Sequence, residues 1–99
     1  MTVYLSGRVS GDAKCRETFA KAEKELSDMG YEVLNPTSGA EGLTDAQAMR
    51  RAVYMLLKAD AMVMLPHWEQ SDGALIERHL ARRIGLPIWN HGTLPPLEI

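Results

Sequence analysis

The segment Ala61-Met62-Val63-Met64-Leu65 decides the fold of this chain. It is apolar at every position and is followed by Pro66, so it is too short for a helix and predicts a buried strand. Strands that are apolar throughout are typical of parallel sheets, because helices cover both faces of such a sheet. The segment therefore predicts an α/β fold.

Helices and strands alternate on the N-terminal side of this segment. Strands are predicted at Val3–Leu5 and at Tyr31–Leu34, where short apolar runs end at Gly7 and at Asn35-Pro36. Between them, apolar residues recur at steps of three and four from Cys15 to Met29, which indicates an amphipathic helix. A second helix is predicted from Thr44, whose spacing from Gln47 fits a capping box.

The alternation continues on the C-terminal side. A third helix is predicted from about Asp72 to Ile84, followed by a fourth short strand at Pro87–Trp89. Such an order predicts one layered α/β domain with a mostly parallel sheet of about four strands. We place the domain at residues 1–89 and expect residues 90–99, which hold three Gly or Pro residues, to form an irregular tail.

Length and charge exclude several classes of function. The chain has 99 residues, which suits one domain. Its net charge is -2, from 11 Lys and Arg against 13 Asp and Glu, so a binder of nucleic-acid polymers or a polybasic membrane anchor is not expected. The longest apolar run is far below the ~18 residues of a membrane span, and no leader peptide is visible. We therefore expect a cytoplasmic protein.

The residues that usually bind metals show no suitable spacing. Cys15 is the one cysteine, so no disulfide framework and no Cys-rich zinc site is expected. His67, His79 and His91 lie far apart in the sequence without ligand spacing. The sequence therefore predicts neither a metal site nor a cofactor.

Glu77 is the most informative single residue. On a helical wheel of the third helix it falls in the middle of the apolar side, while the basic residues and His79 fall on the other side. The apolar side also holds Ile76, Leu80, Gly73, Ile84 and Ala81. A buried carboxylate is costly unless it is hydrogen-bonded, so Glu77 is either a pocket residue with a perturbed pKa or a structural glutamate.

Two loop regions could bind an anion or a sugar. Ser6, Gly7, Arg8 and Gly11 lie in the loop after the first strand, whose glycines would let backbone amides approach a ligand, although the loop matches neither the P-loop nor the dinucleotide-binding fingerprint. Ser71 and Gly73 begin the third helix, where Ser71 could equally be only the N-cap. The polar loops of a parallel sheet meet beyond the carboxyl ends of its strands, which favours one shared site.

A set of spaced motifs resembles the nucleoside 2-deoxyribosyltransferase superfamily. The motifs are Tyr4-Leu5-Ser6-Gly7, Asn35-Pro36, Asp60, Leu65-Pro66-His67-Trp68 and Ser71-Asp72-Gly73-Ala74-Leu75-Ile76-Glu77. The likeness covers residues 2–89 and is nearest to short, uncharacterised members, many of them phage or bacterial. The run from Ser71 to Glu77 is also similar to deoxynucleoside monophosphate N-hydrolases.

The resemblance implies a three-layer flavodoxin-like fold and an enzyme. Glu77 would be the nucleophile that attacks the anomeric carbon of a deoxyribosyl group and releases the base, followed by hydrolysis or by transfer to a second base. The site would be lined by Ser6, Gly7, Arg8 and Gly11, with Ser71 and Gly73 meeting a ribose or 5′-phosphate oxygen. The partner would be a small nucleoside or its monophosphate.

The chain departs from the family pattern at Ala52, where active members carry an aspartate that orients the sugar and helps to protonate the departing base. Loss of such a group typically costs ~10²–10⁴-fold in rate. Asp45 and Asp72 are the alternatives for this acid. A non-catalytic nucleotide-binding module is therefore a second hypothesis, and an interaction protein without a pocket is a third. The family resemblance also implies a homodimer or larger homo-oligomer whose tail reaches a neighbouring subunit.

Overall fold

The sheet has four parallel strands. The computed structural model describes residues 1–9 and 14–92. The strands lie in the order β2-β1-β3-β4 and every neighbouring pair is parallel. Their bounds are β1 Thr2–Ser6, β2 Glu32–Leu34, β3 Ala61–Met64 and β4 Ile88–Asn90. The prediction of a small parallel sheet is therefore confirmed.

Three helices connect these strands. They are α1 at Cys15–Asp28, α2 at Asp45–Lys58 and α3 at Asp72–Arg83, with a short 3₁₀ turn at Trp68–Gln70 before α3. Each lies within two residues of its predicted bounds. The capping box is also confirmed, since the Thr44 hydroxyl accepts from the Gln47 amide at 3.2 Å while the Gln47 side chain accepts from the Thr44 amide.

The sheet separates two apolar cores, which makes the fold three-layered. Alternate residues of β1 point to opposite faces. Val3 and Leu5 pack in the core under α1, whereas Tyr4 packs in the core under α2 and α3. The strand order and the placement of helices on both faces are those of a flavodoxin-like fold.

The buried face of α3 differs from the wheel prediction. Its buried residues are Ala74, Glu77 and Ala81, whereas Ile76 is 55 % exposed and Ile84 is 47 % exposed. The wheel was right about Glu77 and Ala81 and wrong about Ile76 and Ile84. The two alanines let α3 lie close to the sheet, so its small-residue face is buried and the bulky residues lie on a flank.

The same displacement occurs on α2. Leu57 is 59 % exposed, whereas Ala52 and Leu56 are buried. Ala52 and Leu56 therefore occupy the side of α2 nearest the sheet. Both helices therefore carry exposed apolar side chains on their outer flanks.

Two charged residues secure the loops at opposite ends of the sheet. The Arg51 guanidinium donates to the carbonyl oxygens of Pro36 and Ser38. At the other end, Asp60 accepts a 2.9 Å hydrogen bond from the Thr2 amide. Arg51 thereby shapes the loop between β2 and α2, which borders the candidate site.

The predicted tail begins later than expected. Asn90 belongs to β4, and His91 follows it with a 2.9 Å hydrogen bond to Glu25 of α1. Residues 93–99 lie outside the described part of the chain. No helix of that described part is long and apolar enough to cross a membrane.

Candidate functional site

A cavity of about 700 Å³ opens at the carboxyl ends of the strands. It lies between the loops after β1 and β2 and the N-terminal halves of α2 and α3. In the sheet, β2 lies on one side of β1 and β3 lies on the other, so the strand order reverses between β1 and β3. The helices α1 and α2 therefore cover opposite faces of the sheet. Parallel sheets place their ligand sites at such a point. The volume falls within the ~300–1,000 Å³ of small-molecule sites.

Glu77 is set in the wall of this cavity. Its side chain is 8 % exposed, and Oε1 accepts a 2.7 Å hydrogen bond from the Ser6 hydroxyl at the end of β1. Burial raises the pKa of Glu77 above its ordinary value, and the hydrogen bond from Ser6 and the nearby Tyr4 hydroxyl oppose that rise. A carboxylate held in this way can attack an electrophilic carbon or accept a proton.

Tyr4 is a site residue that the sequence reasoning missed. Its side chain is fully buried and lines the cavity, yet its hydroxyl has no hydrogen-bond partner at ordinary distance in the described structure. Burial, with the neighbouring Glu77 carboxylate, strongly raises the pKa of Tyr4, so the hydroxyl stays protonated. The sequence of β1 could have indicated this role, because Tyr4 and Ser6 are two residues apart and side chains at that spacing in a strand point to the same face.

Gly7 and Gly73 both line the cavity but serve it differently. A Cβ at Gly7 would lie 3.0 Å from the Leu65 Cβ, so this glycine allows β1 to pack closely against the end of β3. A Cβ at Gly73 would make only ordinary contacts, 3.6 Å from the Met49 Cε and 3.8 Å from the Ser71 Oγ. The backbone at Gly73 therefore leaves room for a group about the size of a methyl in the cavity wall.

The other predicted site residues lie in different places. Ser71 lines the cavity and also caps α3, because its hydroxyl accepts from the Ala74 amide at 3.2 Å. Its own proton remains available to a ligand. Arg8 instead donates to the Gln70 side chain at 3.0 Å, joining the loop after β1 to the 3₁₀ turn. Gly11 lies outside the described residues.

The remaining polar residues of the cavity wall are of mixed charge: Asp45 and Asp72 are acidic, Thr37 and Gln70 are neutral, and Arg16 is basic. Ala52 lines it, as do the carboxylates of Asp45 and Asp72, each the first residue of a helix. Arg16 lines it from α1 and forms an ion pair with Glu41 in the loop after β2. Within residues 1–9 and 14–92, no three His, Cys, Asp or Glu side chains gather into a metal-binding group.

The fold is shared with a solved 2-deoxyribosyltransferase from the psychrotolerant bacterium Bacillus psychrosaccharolyticus, a biocatalyst for nucleoside synthesis. The two structures superpose with a TM-score of 0.72 over 96 % of this chain and 77 % of that one. Their sequences are 16 % identical, so the likeness concerns the fold.

No curated protein matches the chain. A family described as a domain of unknown function, DUF4406, matches residues 1–90, which is most of the sequence and includes every described residue of the candidate site. The chain belongs to the DUF4406 family.

Proposed function

We propose that the protein cleaves the base–sugar bond of a nucleoside or its 5′-monophosphate, as an N-glycosidase or deoxyribosyltransferase, with Glu77 as nucleophile. The observation that carries the proposal is the buried Glu77 carboxylate in the wall of a cavity of nucleoside size. The structural likeness to a 2-deoxyribosyltransferase supports it. A carboxylate buried without an ion-pair partner is otherwise an expensive feature to retain.

The reaction would proceed in two displacements. A carboxylate oxygen of Glu77 forms a bond to the anomeric carbon while the bond from that carbon to the base nitrogen breaks, its electron pair leaving with the base. The base is protonated as it departs. Water, or a nitrogen of a second base, then displaces Glu77 from the anomeric carbon and loses a proton, so the product retains the original configuration.

Two neighbours of Glu77 would act as positioning residues. The Ser6 hydrogen bond fixes one carboxylate oxygen and opposes the rise in the pKa of Glu77 that burial causes. The Tyr4 hydroxyl, which has no other partner in the described structure, is available to hydrogen-bond the carboxylate or the sugar oxygen as charge develops. Ser71 and the cavity wall at Gly73 would receive the sugar hydroxyls.

The second candidate function is a nucleoside- or nucleotide-binding module without turnover. The observation that favours it is Ala52, whose methyl group lines the cavity where the resemblance places an aspartate. Without that acid, the departing base would take its proton from water or from Asp45 or Asp72. Binding would then persist while the rate falls.

Base release measured by chromatography distinguishes the two functions. The protein at stoichiometric concentration is incubated with a panel of 2′-deoxynucleosides and their 5′-monophosphates. Release that is lost in Glu77→Gln and kept in Glu69→Gln, an exposed residue of the 3₁₀ turn, supports catalysis. Intact substrates together with ligand-dependent thermal stabilisation support the binding module. If the protein neither releases a base nor is stabilised by any ligand, both functions are refuted.

We also propose that residues 1–89 act as one domain that pairs with a second copy of the chain. The support is the exposure of large apolar side chains on α2 and α3. Leu57, Ile76 and Ile84 are each about half exposed or more. Exposed apolar surface of this kind is typical of interfaces.

The charges at the helix ends favour a second copy. Both helices begin with an aspartate, Asp45 or Asp72, and end with basic residues, Lys58 or Arg82-Arg83. A two-fold axis across the outer flanks of α2 and α3 would place the acidic ends of one copy on the basic ends of the other. Light scattering is expected to show a dimer that Leu57→Lys with Ile84→Lys converts to a folded monomer, whereas Glu17→Lys on α1 leaves it unchanged. A monomeric wild type would contradict this arrangement.

A further inference from the structure

We propose that the cavity selects an uncharged nucleoside over its 5′-monophosphate, and that Asp72 and Asp45 set this preference. The inference rests on the proposed function, since it names the substrate class of the same site. It differs from the expectation that the start of the third helix and the loop after β1 bind an anion such as the 5′-phosphate.

The charges in the cavity wall are the first argument. The described lining residues include three carboxylates, those of Asp45, Asp72 and Glu77, and one cation, Arg16. The Arg16 charge is already paired with Glu41, whose pKa is lowered chiefly by the hydrogen bond from Arg16. A phosphate dianion entering this wall would therefore meet an excess of negative charge.

The helix ends are the second argument. The N-terminus of a helix attracts anions through its free amides and its dipole, and both α2 and α3 begin at this cavity. Each end is already supplied with an anion of its own, because Asp45 and Asp72 lie in the first turns. The caps Thr44 and Ser71 also accept one amide each. Neutral hydroxyl groups fit these ends better than a second anion.

Two other arginines lie near the cavity but are not among its described lining residues. Arg8 donates to the neutral side chain of Gln70, and Arg51 donates to backbone carbonyls of the loop after β2. The residues outside the described structure, 10–13 and 93–99, contain no Lys, Arg or His in the sequence, and residues 10–13 include the acidic Asp12. These segments therefore cannot bring a cation to the phosphate.

The test compares binding of matched ligands to one protein. Glu77→Gln, which keeps the ligand intact, is titrated by calorimetry with 2′-deoxyadenosine and 2′-deoxycytidine and with their 5′-monophosphates. We expect each nucleoside to bind at least about tenfold tighter than its monophosphate, a difference of ~1.4 kcal/mol. Asp72→Asn and Asp45→Asn, added to Glu77→Gln singly and together, should narrow the difference by strengthening monophosphate binding.

The matched control is Asp28→Asn, which removes an exposed carboxylate of α1 outside the cavity and should leave the ratio unchanged. Monophosphates that bind as tightly as the nucleosides, or a ratio insensitive to both aspartates, would overturn the inference while leaving the proposed function in place. If no ligand of either class binds or is cleaved by the wild type, the proposed function itself fails. Should Glu77→Gln not fold, inhibition of wild-type base release by the same ligands gives the same ratio.

Discussion

The Ser6 hydroxyl donates a 2.7 Å hydrogen bond to Oε1 of Glu77, joining the end of β1 to the middle of α3 across 71 positions of sequence. Both residues are buried, so the bond holds a carboxylate where water does not solvate it fully. The free energy of unfolding and the chemistry of the cavity therefore depend on the same pair of atoms. Four predictions follow from this pair and its surroundings.

Ser6→Ala is expected to lower both stability and activity. Loss of a buried hydrogen bond to a charged group typically costs ~1.5–3 kcal/mol in the free energy of unfolding, measured here by urea denaturation. Because this bond lowers the pKa of Glu77, its removal should move the acidic limb of the pH–rate profile for base release to higher pH. The control is Ser27→Ala on the exposed side of α1. An unchanged pH profile would show that Ser6 does not set the charge of Glu77.

The stability of Glu77→Gln relative to wild type is expected to be greater at neutral pH than at acidic pH. Burial raises the folded-state pKa of Glu77, so the folded protein binds this proton more tightly than the unfolded chain does. Its contribution to stability is therefore present below the ordinary glutamate pKa and is lost as pH rises through the folded value. The glutamine has no such pH dependence.

Melting temperatures at about pH 4 and pH 7 test this relation. The difference between Glu77→Gln and wild type should be more favourable to the variant at the higher pH, whereas Glu69→Gln, an exposed substitution, should show no such trend. A difference that is the same at both pH values would mean that Glu77 titrates alike in folded and unfolded chains.

Gly73→Ala is expected to raise stability and weaken ligand binding together. The new methyl group meets only ordinary contacts, and alanine is favoured over glycine within a helix by up to ~1 kcal/mol. The same methyl group would occupy space in the cavity. Calorimetric binding of a 2′-deoxynucleoside should therefore weaken while the melting temperature rises.

The contrasting variant for this prediction is Gly85→Ala. Gly85 has a φ of +76°, which an alanine adopts with strain, and it lies at the far end of α3. That variant should melt at a lower temperature with its ligand affinity unchanged. If Gly73→Ala bound ligand as tightly as wild type, the sugar would not lie against Gly73.

Ala52→Asp is expected to increase base release. Ala52 lines the cavity with Tyr4 and Glu77, and the resemblance to the deoxyribosyltransferases places an aspartate at this position. A positioned acid or base is worth ~10²–10⁴-fold in rate, so the increase should be at least about a hundredfold. The melting temperature should fall, because a carboxylate would be buried beside Glu77.

Ala52→Asn is the matched control, since it has nearly the same shape without an acidic proton. A gain in Ala52→Asp alone would show that general acid or base chemistry limits the wild type. Equal rates in both variants would show that the proton comes from elsewhere, with Asp45 and Asp72 as the next residues to replace.

The sequence by itself determined the order of the elements and the burial of Glu77. The apolar run at Ala61–Leu65, the helical stripe on α1 and the Thr44–Gln47 box are local patterns, and local periodicity predicts which segments become strands and helices. Glu77 could be found because its burial conflicts with its charge. The loops could be assigned to one edge because parallel strands end together.

Tertiary packing decided the rest. The wheel was wrong about Ile76 and Ile84 because the side of a helix that meets a sheet is chosen by how closely the backbones approach, and Ala74 and Ala81 allow the closer approach. Tyr4 was read only as a strand residue, although its hydroxyl lies beside Glu77. The Ser6–Glu77 bond and the Arg16–Glu41 pair join residues far apart in sequence. Periodicity within one helix or strand carries no information about such contacts, because they exist only once the layers have packed.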